Sequence, residues 1–182
     1  RSRMALLVTG QRCMGKTSLL LNLAHRLPAR VVPLFVDGQA ASGLHRPEDF
    51  LSLFVMQLRR SSRIQRGIDL PELDPVLVSR DPFLSLNHWF EQANENFIAR
   101  HQVALLMIDE FDEIGKTVIE TSISSTGWMS LLRHIIQHLD GWRVLLAGND
   151  LFERLESWSG YLVNVRLLKI GYLSRQETER LI

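Results

Sequence analysis

Apolar residues along the chain fall into two patterns: short unbroken runs, and longer stretches in which they recur every three or four positions. Unbroken runs bounded by turn residues suit strands covered on both faces, whereas the wider spacing suits helices with one face in a core. The runs are Ala5 to Val8, Val31 to Val36 and Val103 to Ile108, with Trp142 to Ala147 broken by Arg143 alone, and Val163 to Ile170 carries a further strand pattern that includes polar residues. Between them the helical spacing covers Thr17 to Arg26, a stripe from Pro47 through Phe50, Phe54 and Leu58, and another from Pro82 through Trp89, Phe90, Ala93 and Phe97. A further stripe runs from about Gly127 to Leu139. Asp81-Pro82 reads as an N-cap followed by proline at the first helical position, and Ser174 with Glu177 reads as a capping box opening a last helix. Pro33 donates no ladder hydrogen bond, so its strand is expected at a sheet edge. From Arg59 to Asp81 the periodicity weakens, and Pro71 and Pro75 interrupt it, which predicts a loop or insertion. Strands alternating with helices predict an α/β fold: a three-layer αβα sandwich around a mainly parallel five-stranded sheet.

Composition narrows this picture. With 182 residues, 46% apolar and 23% charged, the chain is expected to fold as one nucleus of structure, residues 1–182 forming a single domain. A net charge of +1 gives no global reason for nucleic-acid binding, so such a role would rest on a local patch, of which Arg59, Arg60, Arg63 and Arg66 are the candidate. The single cysteine, Cys13, suits a reducing compartment and a cytoplasmic location. No apolar run approaches the ~18 residues of a membrane span. The chain starts just before a strand and stops inside a helical pattern, which suggests a fragment of a larger multidomain protein.

The chemistry concentrates at three strand ends. Gly10-Gln11-Arg12-Cys13-Met14-Gly15-Lys16-Thr17 fits G-x-x-x-x-G-K-[ST] between a strand and a helix, where backbone N–H groups converge on a phosphate. The candidate nucleotide-binding segment is therefore Gly10, Gln11, Arg12, Cys13, Met14, Gly15, Lys16, Thr17 and Ser18. Lys16 would reach the β- and γ-phosphates, and the Thr17 hydroxyl would ligate Mg²⁺. The third long run ends in Asp109-Glu110-Phe111-Asp112-Glu113. Asp109 would join the Mg²⁺ shell, and Glu110 would position or deprotonate the attacking water. Asn149 follows the fourth strand at the same edge, where an amide could report the γ-phosphate or orient water. His134 and His138 are spaced as a zinc-binding pair but lack the intervening Glu, and read as a polar helix face.

Taken together, GQRCMGKTSLL, LLMIDEFDEI, VLLAGND and the terminal GYLSRQETERLI resemble the STAND group of signal-transduction ATPases, P-loop relatives of the AAA+ proteins. The resemblance implies that Lys16 and Thr17 belong to the first nucleotide motif, Asp109 and Glu110 to the second, and that Asn149 is the polar sensor. It further implies ATP as cofactor, homo-oligomerisation, and attached effector and sensor domains. The absence of an N-K-x-D motif agrees with ATP rather than GTP. Arg143, Arg154 and Arg166 are the candidates for an arginine finger. Two other readings stay open: a nucleotide-dependent interaction module with little turnover, and a DNA-handling loader or initiator of the AAA+ type.

Overall fold

The computed structural model describes residues 5–120, 125–149 and 165–172. Strands β1 (Ala5–Thr9), β2 (Val31–Asp37), β3 (Val103–Asp109), β4 (Trp142–Gly148) and β5 (Val165–Lys169) form one sheet. Every pairing is parallel and the order is β2-β3-β4-β1-β5, so the expected mainly parallel sheet is wholly parallel. The helices are α1 (Lys16–Arg26), α2 (Pro47–Arg66), α3 (Pro75–Arg80), α4 (Pro82–Ala99), α5 (Phe111–Glu120) and α6 (Ser125–His138). A 3₁₀ turn, Gly38–Ala41, follows β2. The Ser174 capping box, Val163 and Arg154 lie outside the described residues.

The two faces of the sheet are covered unequally. On one, Val32, Leu34, Ala104, Leu106, Trp142 and Leu146 pack against α2, α4, α5 and α6. That layer is aromatic at its centre, because ring edges pack well onto ring faces. Phe50 and Phe54 meet Trp128 edge-on at centroid distances of 5.5 and 5.4 Å. Phe90 and Phe97 meet Trp142 at 4.8 and 5.5 Å. On the other face, among the described residues, α1 sets Leu20 and Ala24 against Val8, Met107, Leu145 and Ala147.

As Pro33 predicts, β2 is an edge strand. Its outward backbone groups are met by side chains of α2. Ser61 Oγ accepts from the Phe35 N–H and donates to the Pro33 carbonyl. Gln57 does the same at Asp37 through its two amide atoms, and Arg66 Nε donates to the Val31 carbonyl. Proline therefore sits where no N–H is needed.

The stretch from Arg59 to Asp81 differs from the expected loop. Its first eight residues are the last two turns of α2, which Gly67 closes in the left-handed conformation (φ 64°) with its N–H on Arg63. In these turns Ser62 is the buried residue, so no apolar stripe announces the helix. Pro75 starts α3, capped by the Asp74 carboxylate on the N–H groups of Val76 and Leu77. At six residues, α3 is too short for periodicity to show. The Asp81 cap and Pro82 open α4 as expected.

Candidate functional site

The sequence candidates converge on the carboxyl edge of the sheet, where open parallel sheets leave a crevice for ligands. Between β1 and α1 the chain turns through two left-handed residues, Cys13 (φ 64°) and Gly15 (φ 81°). Gly15 adopts this without strain, whereas a residue with a β-carbon pays for it. Gly10 answers a different need: a β-carbon there would lie 2.9 Å from the Ile170 carbonyl, where the chain leaving β5 crosses the loop. Tyr172 completes that crossing by donating its hydroxyl to Gln11 Oε1 at 3.1 Å.

Lys16 is 4% exposed, and its ammonium donates to the Gly10 carbonyl at 2.8 Å, the Gln11 carbonyl at 3.0 Å and Asn149 Oδ1 at 3.4 Å. A buried ammonium needs such acceptors, since it has three protons and no lone pair. Next to it, Thr17 Oγ1 donates to Asp109 Oδ2 at 2.5 Å, joining α1 to the end of β3. The other Asp109 oxygen accepts the Glu110 N–H. Thr17 itself is exposed at the mouth of the site, whereas Asp109 is buried.

Glu110 occupies the left-handed region (φ 46°), and its Oε2 is buried without a hydrogen-bond partner. Burial first, then the charges of Asp112 and Asp109, push its carboxyl above the usual glutamate range, against the opposing pull of Lys16 and Arg12. Behind it, Gly38 allows the exit of β2 to press on this turn, since a β-carbon would stand 2.4 Å from the Glu110 carbonyl. Asn149 receives Lys16 on its side-chain oxygen and gives Nδ2 to Asp112 at 2.9 Å.

Sequence reasoning missed the roles of Gly38 and Asp112. Gly38 was visible as the turn after a strand, and Asp112 as one acid among four. Neither contact is local in sequence.

Other candidates fall elsewhere. Arg143 stands at the start of β4, bonded to the Asp140 carbonyl, and Arg166 pairs in register with Leu6 near the start of β1, so both sit toward the opposite edge. Arg59 pairs with Glu72 at 2.8 Å and Arg63 with Asp69 at 2.6 Å, while Arg66 binds the carbonyls of Val31 and Leu27. Three of the four clustered arginines thus already have partners within the chain. His134 and His138 lie side by side, rings 5.3 Å apart, with His134 facing Glu91; no metal-holding group of three such side chains occurs among the described residues. No helix of the described residues is long and apolar enough to cross a membrane.

Beside the loop, Met14, Ser18, Leu19, Leu23 and Ile170 line a mainly apolar cleft of about 480 Å³. Residues 1–155 match the family described as AAA domain. The chain belongs to the AAA domain family. An uncharacterized ATP-binding protein of Pyrococcus abyssi is 30% identical over 111 residues, covering 58% of this chain and 32% of that protein. Among solved structures, this AAA domain resembles a Walker-type ATPase of Pyrococcus abyssi (TM-score 0.67, 15% identity, 97% of this chain and 51% of the other). It also resembles the ORC2 protein of Aeropyrum pernix in its ADPNP-ADP complexes (TM-score 0.62, 16% identity, 99% and 45%). The ORC1 protein of the same organism, in complex with DNA, gives a TM-score of 0.57 at 18% identity, covering 97% and 42%. At these identities the likeness is one of fold. The AAA domain spans about a third of the curated relative and about half of the first structural neighbour.

Proposed function

We propose that this AAA domain binds ATP with Mg²⁺ and hydrolyses it slowly, as the switch unit of a larger multidomain ATPase of the STAND type. The observation that carries the reading is the Thr17–Asp109 hydrogen bond beside the buried Lys16. It brings a hydroxyl and a carboxylate from two distant segments to one point, the oxygen donor set that suits Mg²⁺ when phosphate supplies further ligands. Thr17 and Asp109 would hold the cation, while Lys16 and the N–H groups from Gly10 to Ser18 would hold the polyphosphate. When bound, Mg²⁺ neutralises charge on the phosphate oxygens.

Glu110 is the proton acceptor in this reading. Its raised proton affinity brings it nearer to working pH, which favours general-base action, and no hydrogen-bond donor already occupies its Oε2. The apolar cleft beside Met14 and Leu19 would receive the base. Its volume lies within the range usual for ligand sites.

Calorimetric titration of ATP and ADP, with and without Mg²⁺, tests this on the chain and its Lys16→Ala variant. The expected result is loss of about a hundredfold or more in affinity for the variant, as for a charge-assisted contact removed from a dry site. Equal affinity in both proteins would overturn the reading. The DNA-handling alternative draws on the fold shared with the ORC proteins, yet the arginine cluster offered for it is largely occupied. Absent or salt-insensitive DNA binding would remove it.

A further inference from the structure

Asp112 faces Asn149 twice. Its Oδ1 accepts the Asn149 backbone N–H at 3.3 Å, and its Oδ2 accepts the side-chain Nδ2 at 2.9 Å. At the other end of that amide, Oδ1 accepts from Lys16 Nζ at 3.4 Å. These partners fix which way the amide points. An ammonium can only donate and a carboxylate can only accept, so a flipped amide would face repulsion at both ends.

The surroundings are shaped for this contact. A β-carbon on Gly148 would stand 3.0 Å from Asp112 Oδ1, so glycine at the end of β4 leaves room for the carboxylate. Asp112 lies in the first turn of α5, where the exposed N–H groups favour negative charge. One carboxylate on α5 therefore sets the orientation of an amide beyond β4 that touches a lysine on α1.

We propose that Asp112 is a positioning residue that lets the site tell a triphosphate from a diphosphate. By taking one hydrogen of Nδ2 and turning Oδ1 to Lys16, it leaves the second Nδ2 hydrogen for an oxygen of the terminal phosphate. This rests on the nucleotide reading above. An acid serving only to start α5 would affect stability and both nucleotides alike.

The test is titration with ADP and with a non-hydrolysable ATP analogue, in the presence of Mg²⁺, for the native chain, Asp112→Ala, Asn149→Ala and the double variant. Asp112→Ala is expected to weaken the ATP analogue about tenfold, the scale of one hydrogen bond to a charged group, while ADP affinity changes less than about twofold. The double variant is expected to match Asn149→Ala alone, because the two residues act through one contact. Equal loss for both nucleotides, no loss, or additive losses would each overturn the proposal. Should Asp112→Ala fail to fold, Asp112→Asn takes its place: it keeps one acceptor for two donors, so an unchanged ratio of ADP to ATP-analogue affinity overturns the proposal too. A native chain that binds neither nucleotide defeats the nucleotide reading with it, whereas a native chain that binds both, with the ratio unmoved by either Asp112 variant, defeats this proposal alone.

Discussion

Beneath one face of the sheet, Trp142 lies against Trp89, Phe90 and Phe97, and Trp128 against Phe50 and Phe54, all of them buried to within 2% exposure. At the carboxyl edge of the same strands, Asp109, Glu110 and Asp112 crowd together, Cys13 and Glu110 hold left-handed backbone, and one Glu110 oxygen has no partner. The first region carries few unfavourable terms: it has no charge and no left-handed backbone, and its unmet groups are the buried indole N–H of Trp128 and of Trp142. The second keeps several, each on the order of 1–3 kcal/mol for a strained residue of this kind. Such terms persist only where the surroundings leave the backbone no alternative, and here the surroundings are the aromatic layer and the Gly38 turn. The division separates what holds the molecule together from what prepares it to bind.

The contrast can be broken at its strong end first. Trp142→Ala should cost about 3–5 kcal/mol, the range for a large aromatic removed from a packed core, read from the urea midpoint. A cost below about 1 kcal/mol would mean that the layer is not the main support. Arg66→Ala should cost less, about 1–3 kcal/mol, since it removes charge-assisted hydrogen bonds to the carbonyls of Val31 and Leu27 without opening the core. If chemical denaturation shows no loss, the arginine is ornamental to β2.

The last prediction reverses the sign. Glu110 binds its proton more tightly when folded than when unfolded, so its favourable contribution is full below the usual glutamate value near 4.5 and is lost as pH rises through the raised folded value. At pH 7 its charge is a cost, and Glu110→Gln should melt higher than the native chain without nucleotide. The difference should shrink toward zero by about pH 4, below the usual value. A difference that is the same at both pH values would show that the carboxylate charge is not its source.

Much of this is legible in the sequence. Asp81-Pro82 marks the start of α4 because cap and proline act within one turn, and Pro33 marks the edge because a missing N–H has one tolerated place. The Lys16, Thr17, Asp109 and Asn149 positions follow from strand ends in a parallel sheet. What stayed hidden depends on long-range contact. The last turns of α2 carry no apolar stripe; their arginines meet Glu72 and Asp69, partners that lie beyond the helix. Asp112 and Asn149, 37 residues apart, meet only once α5 and β4 are packed.

The helix side chains that meet the outer backbone of β2 also decide how this sheet can grow. Gln57, Ser61 and Arg66 already hold the groups to which a visiting strand would bond, so adding one there would first have to displace all three. Polymerisation by strand addition is closed along that side, and any assembly that uses it must dock onto the helix instead.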